Sequence, residues 1–153
     1  MRFFILTLFV MTWTGAAQAA ETYNPEGLWL TKNERSAIRI EKCESGLCGY
    51  VEWIVDGGMQ FDEKNPQESL RGQPMCGLQI MQGLKQNPNN PNEWENGKIY
   101  KADDGEVYSA ELEMESQDKL EVTGYIGFSF IGKTQKWMRV NPKHFPRCKP
   151  AVK

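Results

Sequence analysis

The sequence predicts an all-β protein, folded as an eight-stranded antiparallel up-and-down barrel. Nearly every regular stretch alternates apolar and polar residues, which is typical of strands that are buried on one face only. Turn residues separate these stretches, most clearly at Asp104-Gly105. Eight strands are enough for an antiparallel sheet to close on itself and so lose its exposed edges. The predicted strands cover residues 27–31, 36–43, 47–55, 76–83, 96–101, 106–115, 119–127 and 133–140.

The alternation also predicts which side chains point into the barrel. In the second strand Ile38 and Ile40 alternate with charged residues, and in the third strand Val51 and Trp53 flank Glu52. Since successive side chains of a strand point to opposite faces, the apolar set of each strand belongs inside. The same rule places these residues of the later strands inside: Leu78, Ile80, Tyr108, Leu112, Val122 and Ile126.

The N-terminus is predicted to be a secretory signal that is removed from the mature protein. Met1-Arg2 gives a positive start, residues 3–14 form an apolar run, and Ala17-Gln18-Ala19 supplies the small residues of a cleavage site. The run is much shorter than the roughly 20 residues that cross a bilayer. We therefore expect a signal peptide at 1–19 and a single barrel domain at 20–153, exported to the periplasm or secreted, with no membrane span after cleavage.

Composition excludes several classes of function. The 153 residues include 18 Lys and Arg against 20 Asp and Glu, so no basic field is available to bind nucleic acid. One histidine excludes a multi-histidine metal site. No phosphate-binding glycine loop, zinc motif or Gly-x-Ser-x-Gly is present. We predict no metal, no cofactor and no nucleic acid partner.

No catalytic residue is predicted, and the protein is expected not to be an enzyme. His144 lies in a proline-rich tail, which is a poor place for a firmly held general base. Four acids, Glu52, Asp62, Asp103 and Asp104, supply candidates for a glycosidase-type carboxylate pair. Acids are common on any surface, however, and the turn accounts for Asp104. Catalysis therefore ranks third among the hypotheses.

Four cysteines in an exported chain indicate two disulfides. Cys43 and Cys48 bracket a polar turn that contains Gly46, so a bridge across the neck of a hairpin is geometrically reasonable. Cys76 and Cys148 then pair by elimination, which ties the C-terminal tail to the barrel. A redox or metal-binding dithiol is the weaker interpretation, because the sequence has no Cys-x-x-Cys.

Gly27-Leu28-Trp29 begins the first predicted strand, and Trp137-Met138-Arg139 lies in the last. In these two segments the predicted barrel resembles the lipocalin and calycin arrangement. The resemblance implies that Trp29 closes one end of the barrel and that Arg139 covers its indole in a cation–π contact.

A second resemblance rests on short strings that follow one another along the mature chain: Gly27-Leu-Trp-Leu-Thr31, residues 43–49, Asp62-x-x-Asn65-Pro66, Pro74-x-x-Gly77-Leu78, Gly97-Lys-Ile-Tyr100, Asp104-Gly105-x-x-Tyr108, Leu120-x-Val122-x-Gly124-Tyr125 and Gln135-x-Trp137-x-Arg139-Val140. In these strings essentially the whole mature chain resembles the bacterial family called domain of unknown function 2147. The resemblance implies an exported, lipocalin-like barrel. Gln73 stands where the family usually has a basic residue, Lys101-Ala102 replaces an Asp-Pro, and Cys76 and Cys148 are additional to the family pattern, which supports their pairing.

The inward face of the barrel leads to the main functional hypothesis, an exported carrier of a small hydrophobic or amphipathic ligand. If Arg139 points into the closed end, Gln135 and Trp137 share its face. The alternative is that side chains fill the barrel completely, and the sequence leaves both open. The predicted ligand-binding residues are Trp53, Leu78, Ile80, Tyr108, Leu112, Ile126, Gln135 and Trp137.

Four polar residues, Asp62, Asn65, Arg71 and Tyr100, form either a polar rim at the barrel mouth or a network that caps turns, and the sequence favours the network. Segments 56–75 and 87–92 are predicted loops, the first with a short helical turn near 66–71. The length of segment 56–75 motivates the alternative function, an envelope protein-interaction module that acts through its surface loops.

Overall fold

The computed structural model describes residues 21–152 and shows a closed barrel of eight antiparallel strands. The predicted all-β up-and-down architecture is confirmed, whereas the predicted signal peptide lies outside the described residues. Around the barrel the order is β1-β10-β9-β8-β7-β6-β3-β2, and β4 pairs with β5 in a separate small sheet. The strands are β1 Gly27–Leu30, β2 Ser36–Cys43, β3 Gly46–Ile54, β4 Phe61–Asp62, β5 Gln73–Pro74, β6 Gln79–Asn87, β7 Asn90–Lys101, β8 Glu106–Ser116, β9 Lys119–Tyr125 and β10 Lys133–Arg139.

The two helical elements of the described chain are short 3-10 turns. Glu68–Leu70 lies inside the segment where a helical turn was expected, and Ser129–Ile131 lies between β9 and β10. Within residues 21–152 no helix has the length and apolar character needed to cross a bilayer.

The expected loop at 87–92 is wrong, because only Pro88 and Asn89 lie between β6 and β7. Asn87 pairs directly with Asn90 across this tight hairpin. The side-chain oxygen of Asn87 accepts a hydrogen bond from the backbone N–H of Asn89 at 2.9 Å, which fits the local preference of asparagine for turns. Cross-strand pairing nevertheless extends both strands into the asparagine-rich run.

The barrel has two different ends. At one, which we call the closed end, the connections are two-residue turns at 44–45, 88–89 and 117–118. Large buried side chains fill the adjoining half of the interior. At the other, the open end, the longer connections gather: 31–35, 55–78, 102–105 and 126–132. The closed half contains Trp29, Ile40, Leu47, Leu84, Trp94, Leu112, Met114 and Leu120.

Trp29 and Arg139 meet at the closed end, where β1 pairs with β10. Trp29 is fully buried, and the Arg139 guanidinium carbon lies 4.2 Å from its ring centre. The Arg139 guanidinium donates to the carbonyls of Asn24 at 2.5 Å, Glu26 at 2.7 Å and Gln117 at 2.6 Å. It thereby joins the N-terminal segment and the β8–β9 turn to the last strand.

Gly27 makes room for this arrangement. Its φ of 142° favours glycine, and a Cβ at this position would collide with Nη1 of Arg139. Burial lowers the pKa of the Arg139 guanidinium from its ordinary value, whereas nearby Asp118 raises it. The group still carries its charge at neutral pH, because arginine titrates far above that range.

Both disulfides form as predicted. Cys43–Cys48 bridges the β2–β3 hairpin across a sequence separation of 5, and Cys76–Cys148 spans a separation of 72. In the chain-entropy account these separations correspond to about 2 and about 4 kcal/mol of stabilisation, respectively. The longer bridge holds the C-terminal tail against β3, where the N–H of Cys148 donates to the carbonyl of Glu52 at 2.7 Å.

We predict that Arg139→Lys lowers the free energy of unfolding by about 3 kcal/mol, although it keeps the positive charge. Lysine cannot direct three N–H groups at three carbonyls in a fixed plane, so it loses hydrogen bonds that join the N-terminal segment and the β8–β9 turn to β10. Urea unfolding followed by tryptophan fluorescence measures the change. Arg147→Lys, in the exposed tail, is the matched control and should change stability little. Equal stability of wild type and Arg139→Lys would contradict the role given to the guanidinium.

Candidate functional site

A cavity of about 550 Å³ occupies the open half of the barrel. Its inner wall is apolar, formed by Ile38, Val51, Ile99, Val122 and Trp137. None of the large side chains that fill the closed half lines it. The sequence left open whether side chains fill the barrel or leave a cavity. Each possibility describes one half of the barrel, because the closed half is packed and the open half is hollow.

Five of the eight predicted ligand-binding residues line this cavity: Ile80, Tyr108, Ile126, Gln135 and Trp137. Trp137 is buried in the wall, and the indole N–H lies 3.4 Å from the side-chain oxygen of Gln135. Ile126 is at the mouth and is 69% exposed. The inward alternation of β8, β9 and β10 was thus sufficient to find one side of the cavity.

Trp53 does not line the cavity, because a β-bulge reverses the alternation of β3. Ala37 pairs with Trp53, but the next residue of β2, Ile38, pairs with Val51. Glu52 is therefore an extra residue in β3, and beyond it the inward and outward faces exchange. The Trp53 ring packs edge-on against Phe145 of the tail, with 5.0 Å between ring centres.

Leu78 and Leu112 also lie away from the cavity. Leu112 is 1% exposed and pairs with Trp94 in the packed half of the barrel. Leu78 precedes β6, which begins only at Gln79, and packs against the core as a partly buried residue that does not line the cavity. Its carbonyl accepts the N–H of Val51 at 3.0 Å.

The cavity also contains residues that were not among the predicted ligand-binding residues. Ile54 enters through the bulge in β3, and Met59 and Met75 reach the cavity from the long β3–β6 connection. Gly124 lines the wall as a member of the inward set of β9, and Ile99 continues the inward set of β7. The signal for the last two was present in the period-two pattern, whereas the two methionines lie in a segment without periodicity.

Charged side chains surround the mouth of the cavity. Asp104 is held on one side, where it accepts hydrogen bonds from Lys101 and, at 3.1 Å, from the Tyr108 hydroxyl. The bond from Lys101 is the largest cause that lowers the pKa of Asp104, and the bond to Asp104 raises the pKa of Tyr108. Across the mouth lie Arg35 and Lys133, which form no ion pair with any described residue.

The four polar residues lie in a hydrogen-bonded network that holds the long β3–β6 connection, the alternative that the sequence favoured over a polar rim. Asp62 is fully buried and accepts three hydrogen bonds, from Tyr100 at 2.7 Å, Asn65 at 2.8 Å and Gln73 at 3.1 Å. Arg71 donates to the carbonyl of Asn65 at 2.8 Å. Asp62, Asn65 and Arg71 do not line the cavity, and only Tyr100 reaches both the network and the wall.

The four candidate acids are dispersed in different environments. Glu52 lies on the outside of the barrel and accepts a hydrogen bond from Arg39 at 2.5 Å. Asp62 is enclosed by its donors, whereas Asp103 and Asp104 line the cavity mouth. Glu52 and Asp62 therefore do not face the cavity.

Comparison with known proteins identifies one family and one solved structure. The family described as "Uncharacterized protein conserved in bacteria (DUF2147)" matches residues 27–139. A Helicobacter pylori protein, HP1028, described as belonging to the lipocalin family, has 23% sequence identity and a TM-score of 0.74, over 86% of this chain and 94% of the other. No curated protein has a sequence that matches this chain. The structural likeness confirms the predicted lipocalin-like fold.

We predict that Tyr100→Phe weakens the dependence of stability on alkaline pH. Burial, and then the hydrogen bond to Asp62, raises the pKa of Tyr100 above its ordinary 10.0. The folded protein thus holds this proton more tightly than the unfolded chain, so stability is lost as pH rises above 10.0. Urea unfolding at about pH 8 and about pH 11 measures the loss, which should be smaller for Tyr100→Phe. Parallel losses in the two proteins would contradict this.

Proposed function

The chain belongs to the DUF2147 family of conserved bacterial proteins, and we propose that its barrel binds a small apolar or amphipathic molecule in the cavity at the open end. The observation that carries the proposal is the hollow of about 550 Å³ between an apolar wall and a charged mouth. Cavities of roughly 300–1,000 Å³ are typical of small-molecule sites. The lipocalin-like fold and the family both fit a binding protein rather than an enzyme.

The wall favours an extended apolar body. Ile38, Val51 and Val122 are buried aliphatic residues of three different strands, and Trp137 adds a large flat surface. Burying apolar ligand surface against such a wall contributes about 25 cal/mol per Å² before the costs of association. A preformed wall reduces those costs, because the side chains are already ordered by the barrel.

The mouth favours a polar or anionic end on the same ligand. Arg35 and Lys133 line it without an ion-pair partner among the described residues, whereas Lys101 on the opposite side is paired with Asp104. An anionic group at the mouth would gain charge-assisted hydrogen bonds while remaining near water. An amphipathic molecule with its apolar body inside and its anionic end at Arg35 and Lys133 therefore satisfies both regions.

We also propose that the protein is exported to the periplasm or the medium. Residues 1–19 have the pattern of a cleaved signal, and two disulfides suit an oxidising compartment. A carrier of poorly soluble molecules is useful where such molecules must cross an aqueous space, and the periplasm or the medium is such a space.

We predict that a bacterial host exports the full chain and removes residues 1–19. Intact-mass measurement of the protein from the periplasm or the medium should give a chain that begins at Ala20. Ala19→Arg replaces a small residue of the cleavage site and should accumulate as the uncut, cell-associated form. Recovery of uncut wild type from the cytoplasm would contradict export.

We predict that Gly124→Leu lowers the affinity for cis-parinaric acid, a fluorescent fatty acid, by at least about tenfold. A Cβ at Gly124 meets nothing closer than 3.6 Å, so the side chain extends into the hollow and occupies ligand volume. Fluorescence titration measures the affinity, and circular dichroism checks the fold.

Thr123→Leu is the matched control, because it adds the same side chain one residue away on the outer face of β9. The hydroxyl of Thr123 contacts that of Thr134 there, away from the cavity. Wild-type affinity in Thr123→Leu, with loss in Gly124→Leu, supports the cavity as the site. Absence of binding to wild type, or equal affinity in all three proteins, contradicts the proposal.

A further inference from the structure

The connection between β9 and β10 exposes a group of large apolar side chains beside the cavity mouth. We call residues 126–131 the apolar loop. Phe128 is 66% exposed, Phe130 is 83% exposed, and Ile126 and Ile131 are exposed to 69% and 64%. The two phenylalanine rings stack on each other with 5.5 Å between centres. Exposed apolar groups of this kind, clustered on one loop, mark an interaction surface rather than ordinary scattered exposure.

Part of the backbone of the apolar loop is hydrogen-bonded within the loop itself. The loop contains the 3-10 turn Ser129–Ile131, in which the N–H of Ile131 donates to the carbonyl of Phe128 and the N–H of Gly132 donates to that of Ser129. Unpaired backbone groups are costly in an apolar medium. Since the turn bonds its own backbone, the two phenylalanines can enter such a medium at a smaller cost.

Basic side chains flank the apolar loop on the side of β1 and β10. Lys32 and Lys133 line one shallow surface depression, and Arg35 lies with Lys133 at the cavity mouth. None of the three forms an ion pair with a described residue, and one acid, Glu34, lies within their connection. The surface next to the apolar loop therefore carries net positive charge.

We propose that the apolar loop docks the open end of the barrel onto an anionic lipid bilayer. Phe128 and Phe130 insert among the lipid headgroups and upper acyl chains, while Lys32, Arg35 and Lys133 meet the negative surface. A bilayer accepts protruding apolar side chains without a preformed complementary pocket, whereas a protein partner must supply one. Docking in this orientation places the cavity mouth against the lipid.

The inference goes beyond ligand binding and does not depend on it, because Phe128 and Phe130 do not line the cavity. Ile126 and Ile131 belong both to the loop and to the cavity mouth, and for that reason they are left unchanged in the test. Loss of docking can therefore be measured separately from loss of cavity binding.

Vesicle flotation tests the proposal with exported protein whose N-terminus has been established by mass, since segment 3–14 would itself bind lipid. Wild type is mixed with vesicles of phosphatidylcholine alone or of phosphatidylcholine with phosphatidylglycerol. We expect flotation with the anionic vesicles and a decrease of about tenfold in vesicle affinity for Phe128→Ser/Phe130→Ser. Lys32→Gln, which leaves the mouth residue Lys133 unchanged, should lose about fivefold on anionic vesicles only, since each cation near such a surface contributes about that factor.

Two matched controls separate docking from general stickiness. Met138→Ser removes an exposed apolar side chain of β10 near the closed end, and Lys143→Gln/Lys149→Gln removes two exposed cations of the tail. Both should float like wild type, and Phe128→Ser/Phe130→Ser should keep wild-type affinity for cis-parinaric acid. Three results would each overturn the proposal: wild type that does not float, equal flotation of all variants, or a vesicle-free dimer that depends on Phe128 and Phe130.

Discussion

The barrel depends on the contact between the Arg139 guanidinium and the Trp29 indole, made where the first and last strands meet. That seam is short, with Trp29 opposite Arg139 and Leu30 opposite Met138. An up-and-down barrel closes only if its terminal strands pair, and this pairing joins residues more than a hundred positions apart. The guanidinium adds three donated hydrogen bonds to carbonyls and a cation–π contact at the seam, so one side chain both joins the terminal strands and covers this end of the barrel.

Once that end is sealed, side-chain size decides where empty space remains. Trp94, Leu112 and their neighbours fill the closed half, whereas Val51, Val122 and Gly124 leave volume in the open half. The same asymmetry appears in the connections, because alternate connections of an up-and-down barrel fall at the same end. The closed end has two-residue turns, and the open end has the longer segments that surround the hollow. The mouth is therefore built largely by loops, which tolerate a wider range of side chains than the strands do.

The mouth combines three elements that the proposed binding of an amphipathic ligand and the proposed docking to lipid would use together. The hollow offers apolar surface, Arg35 and Lys133 offer unpaired charge among the described residues, and the apolar loop at 126–131 offers exposed apolar side chains. The hydrogen bonds of the buried Asp62 hold the long β3–β6 connection against Tyr100, which lines the cavity wall. The same connection contributes Met59 and Met75 to the lining of the cavity.

The sequence by itself determined the features that depend on local periodicity and residue type: eight strands, the inward sets of β8, β9 and β10, and both disulfides. The contact of Trp29 with Arg139 was implied by the resemblance to lipocalins. Tertiary structure decided the features that depend on relations between strands. Trp53 turns outward because Ala37 and Ile38 pair across a bulge, which belongs to two strands and has no mark in either alone. The hollow, likewise, is the volume left after side chains from all eight strands have packed, so no single segment of the sequence encodes it.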